Sequence, residues 1–75
     1  MVTRELTFGE KAVGLTFNPS GDDRVHRLKV MYAAIIDELD AMRGNRSEQA
    51  RLASVAITEA QGAQMWAVKA ATWRD

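Results

Sequence analysis

The second half of the chain contains a long segment with little charge and a regular alanine spacing. Alternating intervals of three and four residues separate Ala53, Ala56, Ala60, Ala63, Ala67 and Ala70. Such intervals place the alanines along one side of an α-helix. Between Leu52 and Val68 the only formal charge is that of Glu59. Residues 47–73 are therefore predicted to form one long helix that packs against other helices over much of its surface.

A stripe of large residues with the same spacing lies upstream, and it consists of Val25, Leu28, Tyr32, Ile35, Leu39 and Met42. A turn near residues 46–47 brings the two stripes into antiparallel register, with each large residue opposite an alanine, from Met42 opposite Ala53 to Val25 opposite Ala70. Large side chains against alanine allow two helices to approach at the short end of the usual range of about 8–10 Å. The predicted fold is all-α: a long antiparallel helical hairpin over residues 22–75, preceded by a short N-terminal helix or arm over residues 1–21.

Residues near the N-terminus carry a signal for a short helix. Thr7 and Glu10 have the spacing of a capping box, in which each side chain bonds the other residue's backbone N–H. Gly14 is suited to end such a helix, because it adopts positive φ without a Cβ penalty. We expect this helix over residues 8–13.

Polar residues also mark the ends of the two long helices. Ser20 or Asp22 is placed to cap the first one, which is expected to end near residue 43. Asn45 or Ser47 is placed to cap the second. The short connection between them permits only an antiparallel hairpin.

Composition limits how such a chain can be stabilised and where it functions. A domain of 75 residues without cysteine buries only about 60% of its unfolded surface and has no disulfide to help it. The net charge of zero argues against a general DNA- or RNA-binding protein. No signal peptide is visible, and the polar residues of the second helix argue against a membrane span. We expect a cytoplasmic protein, in the host cell if the chain is phage-encoded.

The second long helix carries another apolar stripe on a different face, made of Leu52, Val55, Gly62, Trp66 and Trp73 and interrupted by Glu59 and Lys69. One partner helix covers only one stripe, so a monomer would expose two tryptophans. The prediction is a homo-oligomer with this helix near its centre. The alternative is a monomer in which the N-terminal segment covers the second stripe.

The residues provide no pattern for catalysis or for a metal or cofactor. His26 is the only histidine and has no cysteine or serine partner nearby. The carboxylates of Asp37, Glu38 and Asp40 are spread by helical spacing over what is expected to be a solvated face. A binding protein without enzymatic activity is the expected class.

A candidate ligand site lies at the open end of the predicted hairpin. The antiparallel register brings the loop at residues 17–21 near the end of the second long helix, which collects aromatic rings, amide and hydroxyl groups and cations. Such a mixture suits a small anionic nucleotide. The candidate ligand-binding residues are Phe17, Asn18, Ser20, Arg24, Lys69, Trp73 and Arg74. The structural alternative is that Phe17 fills the core and that Lys69 and Arg74 complement the helix C-terminus.

Two segments resemble a known family, GLTFNPSGD at residues 14–22 and QMWAVKAATW at residues 64–73. They are similar to small phage and prophage proteins that share a helical-hairpin domain, which occurs in anti-CBASS and anti-Thoeris proteins. The resemblance implies a compact homo-oligomer, commonly a hexamer. It also implies a sponge that sequesters cyclic oligonucleotide or cyclic ADP-ribose-type immune signals without turning them over.

One position departs from that family's pattern. In the anti-CBASS members an aromatic residue that stacks on a base precedes an Arg-x-Leu-Thr stretch. Arg4-Glu5-Leu6-Thr7 matches the stretch, but Thr3 precedes it. Either Phe8 or Phe17 takes the place of the missing ring, or the ligand differs. The alternative function is a structural or protein-binding helical oligomer with no small-molecule ligand.

Overall fold

The structure is a computed structural model that describes residues 4–75 and contains three helices. Helix α1 comprises Phe8–Ala12, α2 comprises Asp23–Asp40 and α3 comprises Glu48–Thr72. Residues 4–75 contain no β-strand. Helix α2 packs against both α1 and α3, and the Cα positions extend over 44 × 40 × 13 Å. The helices therefore form one layer with α2 in the middle, and the predicted all-α hairpin fold is confirmed.

The predicted capping signals form the helix ends. The Thr7 hydroxyl accepts the Glu10 N–H, while the Glu10 carboxylate accepts the Thr7 N–H and two hydrogen bonds from Arg4. Gly14 has φ of 63° directly after α1, as expected for a terminating glycine. The Arg-x-Leu-Thr stretch thus fixes the start of α1.

The two long helices begin where the sequence predicts, but α2 ends earlier. Asp22 caps α2 by accepting the N–H groups of Arg24 and Val25, and Ser47 caps α3 by accepting the N–H of Ala50. Helix α2 ends at Asp40 and not near residue 43, because the N–H groups of Met42 and Arg43 bond to carbonyls three residues back in a tighter turn.

The core lies where the three helices come together. It consists of Val13, Ala33, Ile36 and Ile57, and Ile36 is fully buried. Tyr32, Leu39 and Ala60 are partly buried around this cluster. Helix α2 supplies the centre of the core because it is covered on both sides.

The predicted contact faces are partly wrong. In α2 the side chain of Ile35 is 50% exposed and Met42 is also exposed, whereas Ile36 occupies the core. In α3 Ala63 and Ala70 are exposed, whereas Ile57 and Gln64 are buried. The remaining members of both predicted stripes are buried or half-buried. The buried face of α2 is rotated because α1 also packs on this helix and covers the side that carries Ala33.

Helix α1 approaches α2 closely at Gly9. A Cβ atom on Gly9 would lie 2.1 Å from the carbonyl oxygen of Ala33, so no larger residue fits without displacing backbone. The Gly9 N–H donates to the Asp37 carboxylate at 2.7 Å. Asp37 is therefore a structural partner of α1, and Asp40 is paired with Arg43 at 2.6 Å. The expectation of a solvated face is wrong for Asp37, which bonds α1, whereas Asp40 is 39% exposed while it pairs with Arg43.

The second apolar stripe of α3 remains exposed. The side chains of Trp66 and Trp73 are 72% and 61% exposed, and Leu52 and Val55 are exposed as well. The N-terminal segment packs on α2, so the alternative in which it covers this stripe is wrong. Within residues 4–75, no helix has the length and hydropathy required to cross a bilayer. The division of the chain into an arm and a hairpin at residues 21 and 22 stays a prediction.

Candidate functional site

The loop between α1 and α2 encloses a pocket at the open end of the hairpin. Its volume is about 240 Å³, and it is lined by Phe17, Asn18, Pro19, Ser20, Val25, Lys29, Val68 and Thr72. The start of α2 and the end of α3 meet there because the two helices run antiparallel. The predicted proximity of the loop to the last turns of α3 is thus confirmed.

Internal hydrogen bonds fix the shape of the pocket loop. The Asn18 side-chain amide donates to the backbone oxygen of Asp22 at 3.0 Å and accepts from the Ser20 hydroxyl at 3.2 Å. The N–H of Gly21 donates to the Asn18 carbonyl at 3.0 Å, and Gly21 has φ of 64°. Asn18 and Ser20 therefore hold the loop in place as well as lining the pocket.

Lys29 forms the floor of the pocket, and the sequence reasoning missed it. Its side chain is only 6% exposed, and its ammonium group donates to the carbonyl oxygens of Gly14 and Phe17 at 3.0 and 2.5 Å. The Nζ atom also lies 5.5 Å from the centroid of the Phe17 ring. The available signal was helical spacing, since Lys29 lies four residues from both Val25 and Ala33 on the buried face of α2.

Phe17 presents its ring to solvent at the edge of the pocket. The side chain is 71% exposed, so the alternative in which Phe17 fills the core is wrong. Phe8 lies at the opposite end of α2, where its ring centroid is 5.0 Å from the Arg43 guanidinium. Of the two candidates for the missing aromatic ring, only Phe17 lies at the pocket; Thr3 falls outside the described residues.

The four other candidate residues flank the pocket without lining it. Arg24, Lys69, Trp73 and Arg74 are all exposed. The Nζ atom of Lys69 lies 5.4 Å from the Trp66 ring centroid and 5.9 Å from that of Trp73. The Trp73 indole N–H donates to the Asp75 carboxylate at 3.0 Å. The structure therefore brings together Phe17, Asn18 and Ser20, while Lys69 turns toward the exposed tryptophans of α3.

A larger open cavity of about 630 Å³ lies at the hairpin turn, with Arg43, Arg46 and Arg51 in its wall. Two of these cations are already neutralised. Arg43 pairs with Asp40, and Arg51 pairs with Glu48 at 2.6 Å. The Arg51 hydrogen bonds hold the pKa of the Glu48 carboxyl below its ordinary value. Paired charges attract an added anion less strongly than unpaired charges do.

The N-terminus of α2 is closed to an external anion. The Asp22 carboxylate already accepts the N–H groups of Arg24 and Val25, which an incoming phosphate would need. The positive charge in the pocket wall therefore comes from the Lys29 side chain and not from the helix end.

Comparison with protein families adds to this geometry. The family model for the Acb2/Tad1 hairpin domain matches residues 10–72, which is most of the chain. Comparisons with curated proteins and with solved structures return no match. The matched residues cover both helices of the hairpin and the pocket loop, so the resemblance to anti-CBASS and anti-Thoeris proteins is confirmed. The chain belongs to the Acb2/Tad1 hairpin-domain family.

Proposed function

We propose that this protein binds and sequesters a cyclic oligonucleotide or a cyclic ADP-ribose-type signal, and so blocks bacterial anti-phage defence without chemical turnover. Membership of a family of signal sponges supports the class of ligand. The observation that carries the proposal is the exposed Phe17 ring, which lies beside a pocket whose floor is the buried Lys29 ammonium group.

The pocket offers the two contacts that a nucleotide requires. A base can stack on the open face of Phe17, while Lys29 lies on the side of the ring that faces the protein. A lysine ammonium group has three N–H donors, and Lys29 uses two of them on carbonyl oxygens. In this proposal the third donor and the positive charge serve a phosphate oxygen.

The proposed ligand-binding set is that of the sequence analysis, with Lys29 added. Phe17, Asn18 and Ser20 contact the ligand in the pocket, while Arg24, Lys69, Trp73 and Arg74 contribute charge and an aromatic face at its rim. Residues 4–75 provide no ion pair to Arg24 or Arg74, so these cations are available for phosphate charge.

The size of the pocket supports a site shared between copies. A volume of about 240 Å³ is below the range of about 300–1,000 Å³ that is typical of sites for whole small molecules. One chain thus accommodates part of a cyclic nucleotide, and the rest is expected to contact a neighbouring copy. The exposed apolar stripe of α3 also supports a homo-oligomer, because a second copy would cover its tryptophans. The family implies a hexamer.

A sponge acts by affinity alone. Its sites must outnumber the signal and bind it below the concentration at which the host effector responds. Ligand recovered unchanged after incubation with the protein is therefore expected, and chromatography of the released ligand measures this.

Calorimetric titration against cyclic dinucleotides, cyclic trinucleotides and cyclic ADP-ribose isomers tests the proposal. Loss of one base–aromatic stack is worth about 1–3 kcal/mol, so Phe17→Ala is expected to weaken binding by roughly 5- to 150-fold. Phe8→Ala is the matched control, because its ring lies at the opposite end of α2. Absence of binding across the whole panel would remove the proposal and leave a structural oligomer. Equal losses of affinity in Phe17→Ala and Phe8→Ala would show that the ligand does not stack on Phe17.

A further inference from the structure

The exposed side of α3 has a pattern that is complementary to itself when reversed. Its positions follow at intervals of three and four residues, and we call them the outer stripe: Leu52, Val55, Glu59, Gly62, Trp66, Lys69 and Trp73. Glu59 and Lys69 are the only charged members, and they have opposite signs. The other members are apolar side chains and one glycine.

We propose that two copies of this chain pair through their outer stripes in antiparallel register, with Glu59 of each copy opposite Lys69 of the other. In that register Gly62 lies opposite the partner's Trp66, and Val55 lies opposite the partner's Trp73. The numbers of the facing residues have a constant sum, as a two-fold symmetric interface requires. This inference rests on the proposed self-association and specifies one interface of it.

The antiparallel register is favoured because it matches charge and size at once. Each carboxylate meets an ammonium group, and each Trp66 indole meets a glycine that leaves space for it, while each Trp73 indole meets the apolar side chain of Val55. A parallel pair would place Glu59 against Glu59 and Lys69 against Lys69. It would also place indole against indole at Trp66 and leave a gap between the two glycines at Gly62.

The two charges cannot satisfy each other within one chain. Ten residues of helix separate them, which is about 15 Å along the axis. Among residues 4–75 neither Glu59 nor Lys69 has an ion pair. The Nζ atom of Lys69 already lies over the Trp66 and Trp73 rings, on the side of α3 where a partner would bind.

Gly62 gives a second, independent indication. Glycine is unfavourable inside a helix, yet a Cβ atom on Gly62 would meet nothing within 4 Å in this chain. A shallow groove of about 300 Å³ opens beside it, lined by Gly62, Met65, Trp66 and Lys69. The partner's indole would fill this groove, which would explain why a glycine occupies this position in the helix. The pairing competes with the proposed ligand for Lys69, and it leaves Arg24 and Arg74 as the other cations of the proposed ligand-binding set.

Charge reversal tests the register. Glu59→Lys places two lysines opposite each other and Lys69→Glu places two glutamates opposite each other, so each variant alone is expected to weaken association at least tenfold at low salt. The double variant E59K/K69E and an equimolar mixture of the two single variants both restore opposite charges and are expected to recover association. Lys11→Glu, on the exposed side of α1, is the control and is expected to leave association unchanged. Sedimentation without nucleotide measures the association constants, and circular dichroism verifies that each variant is helical.

Cross-linking gives a second test in this cysteine-free chain. A mixture of Glu59→Cys and Lys69→Cys is expected to form only mixed cross-linked dimers. Cross-linking of Glu59→Cys with itself would indicate a parallel pair and overturn the proposal, as would failure of the charge-reversed mixture to associate. Nucleotide binding is measured separately, so loss of the register leaves the sponge proposal standing, and loss of nucleotide binding leaves the register standing.

Discussion

Replacing Gly9 by alanine is expected to separate α1 from α2. The added methyl carbon would lie 2.1 Å from the Ala33 carbonyl oxygen and 2.8 Å from the Asp37 carboxylate. An ordinary C–H···O contact is about 3.3–3.6 Å, so α1 must move by roughly 1 Å. Because the clashing oxygen belongs to the backbone of the central helix, no side-chain rotation can relieve the contact.

The cost follows from two effects of the same displacement. Overpacking of this kind costs about 1–3 kcal/mol, and the hydrogen bond from the Gly9 N–H to the Asp37 carboxylate, worth about 1.5–3 kcal/mol, is weakened or lost. Since the two effects overlap, we expect a loss of about 3 kcal/mol in the free energy of unfolding. A domain of this size has about 4–11 kcal/mol in total, and its melting temperature should fall by at least about 12 °C.

Urea denaturation followed by circular dichroism, at one fixed protein concentration, measures this loss. Gly44→Ala is the matched control, because a Cβ atom there meets nothing within 4 Å and φ is not positive. The control is expected to be neutral or slightly stabilising. A Gly9→Ala protein within about 0.5 kcal/mol of the parent would refute the close packing described for α1.

Two further predictions concern the pocket floor and the start of α1. Lys29→Met keeps an unbranched, mostly aliphatic side chain but removes the donor to the Gly14 and Phe17 carbonyls. It should lower the free energy of unfolding by about 1–3 kcal/mol and accelerate amide hydrogen exchange in the loop between α1 and α2. Unchanged exchange would contradict this role. The hydrogen bonds from Arg4 and from the Thr7 N–H lower the pKa of Glu10 from 4.5 to about 2. The ionised carboxylate therefore stabilises the folded state above pH 4.5, and this contribution is lost as the pH falls toward 2. Glu10→Gln should remove this part of the acid dependence in unfolding measured against pH, and an unaltered slope would count against the ion pair.

The starts of the helices were predictable because their signals are local. Thr7, Asp22 and Ser47 each bond to N–H groups within three residues, so sequence spacing alone identifies them as cap candidates, beside Ser20 and Asn45 for the two long helices. The antiparallel hairpin follows equally directly from the short connection between two long apolar segments. The position of Phe17 near the end of α3 then depends only on that topology.

The faces that become buried were less predictable, because alanine fits either side of a packed helix. In α3 the alanine spacing predicted that Ala63 lies inside, but the packed face of the helix carries Ile57 and Gln64 instead. The packing of α1 on α2 depends on a close contact at Gly9, which no periodic pattern reveals. Lys29 was missed because its burial depends on loop carbonyls that only the folded chain brings to it.

The last turns of α3 carry the pocket and the outer stripe on consecutive residues. Val68 and Thr72 line the pocket, and the residues that follow them, Lys69 and Trp73, face outward. A helix moves as a rigid rod over so short a distance, so a shift that suits a ligand also shifts the surface offered to a second copy. If assembly changes the affinity for the nucleotide by some factor, then nucleotide binding changes the association constant by the same factor. Under the proposed binding and pairing, and where assembly raises nucleotide affinity, a cell rich in signal would drive the formation of the particle that removes it.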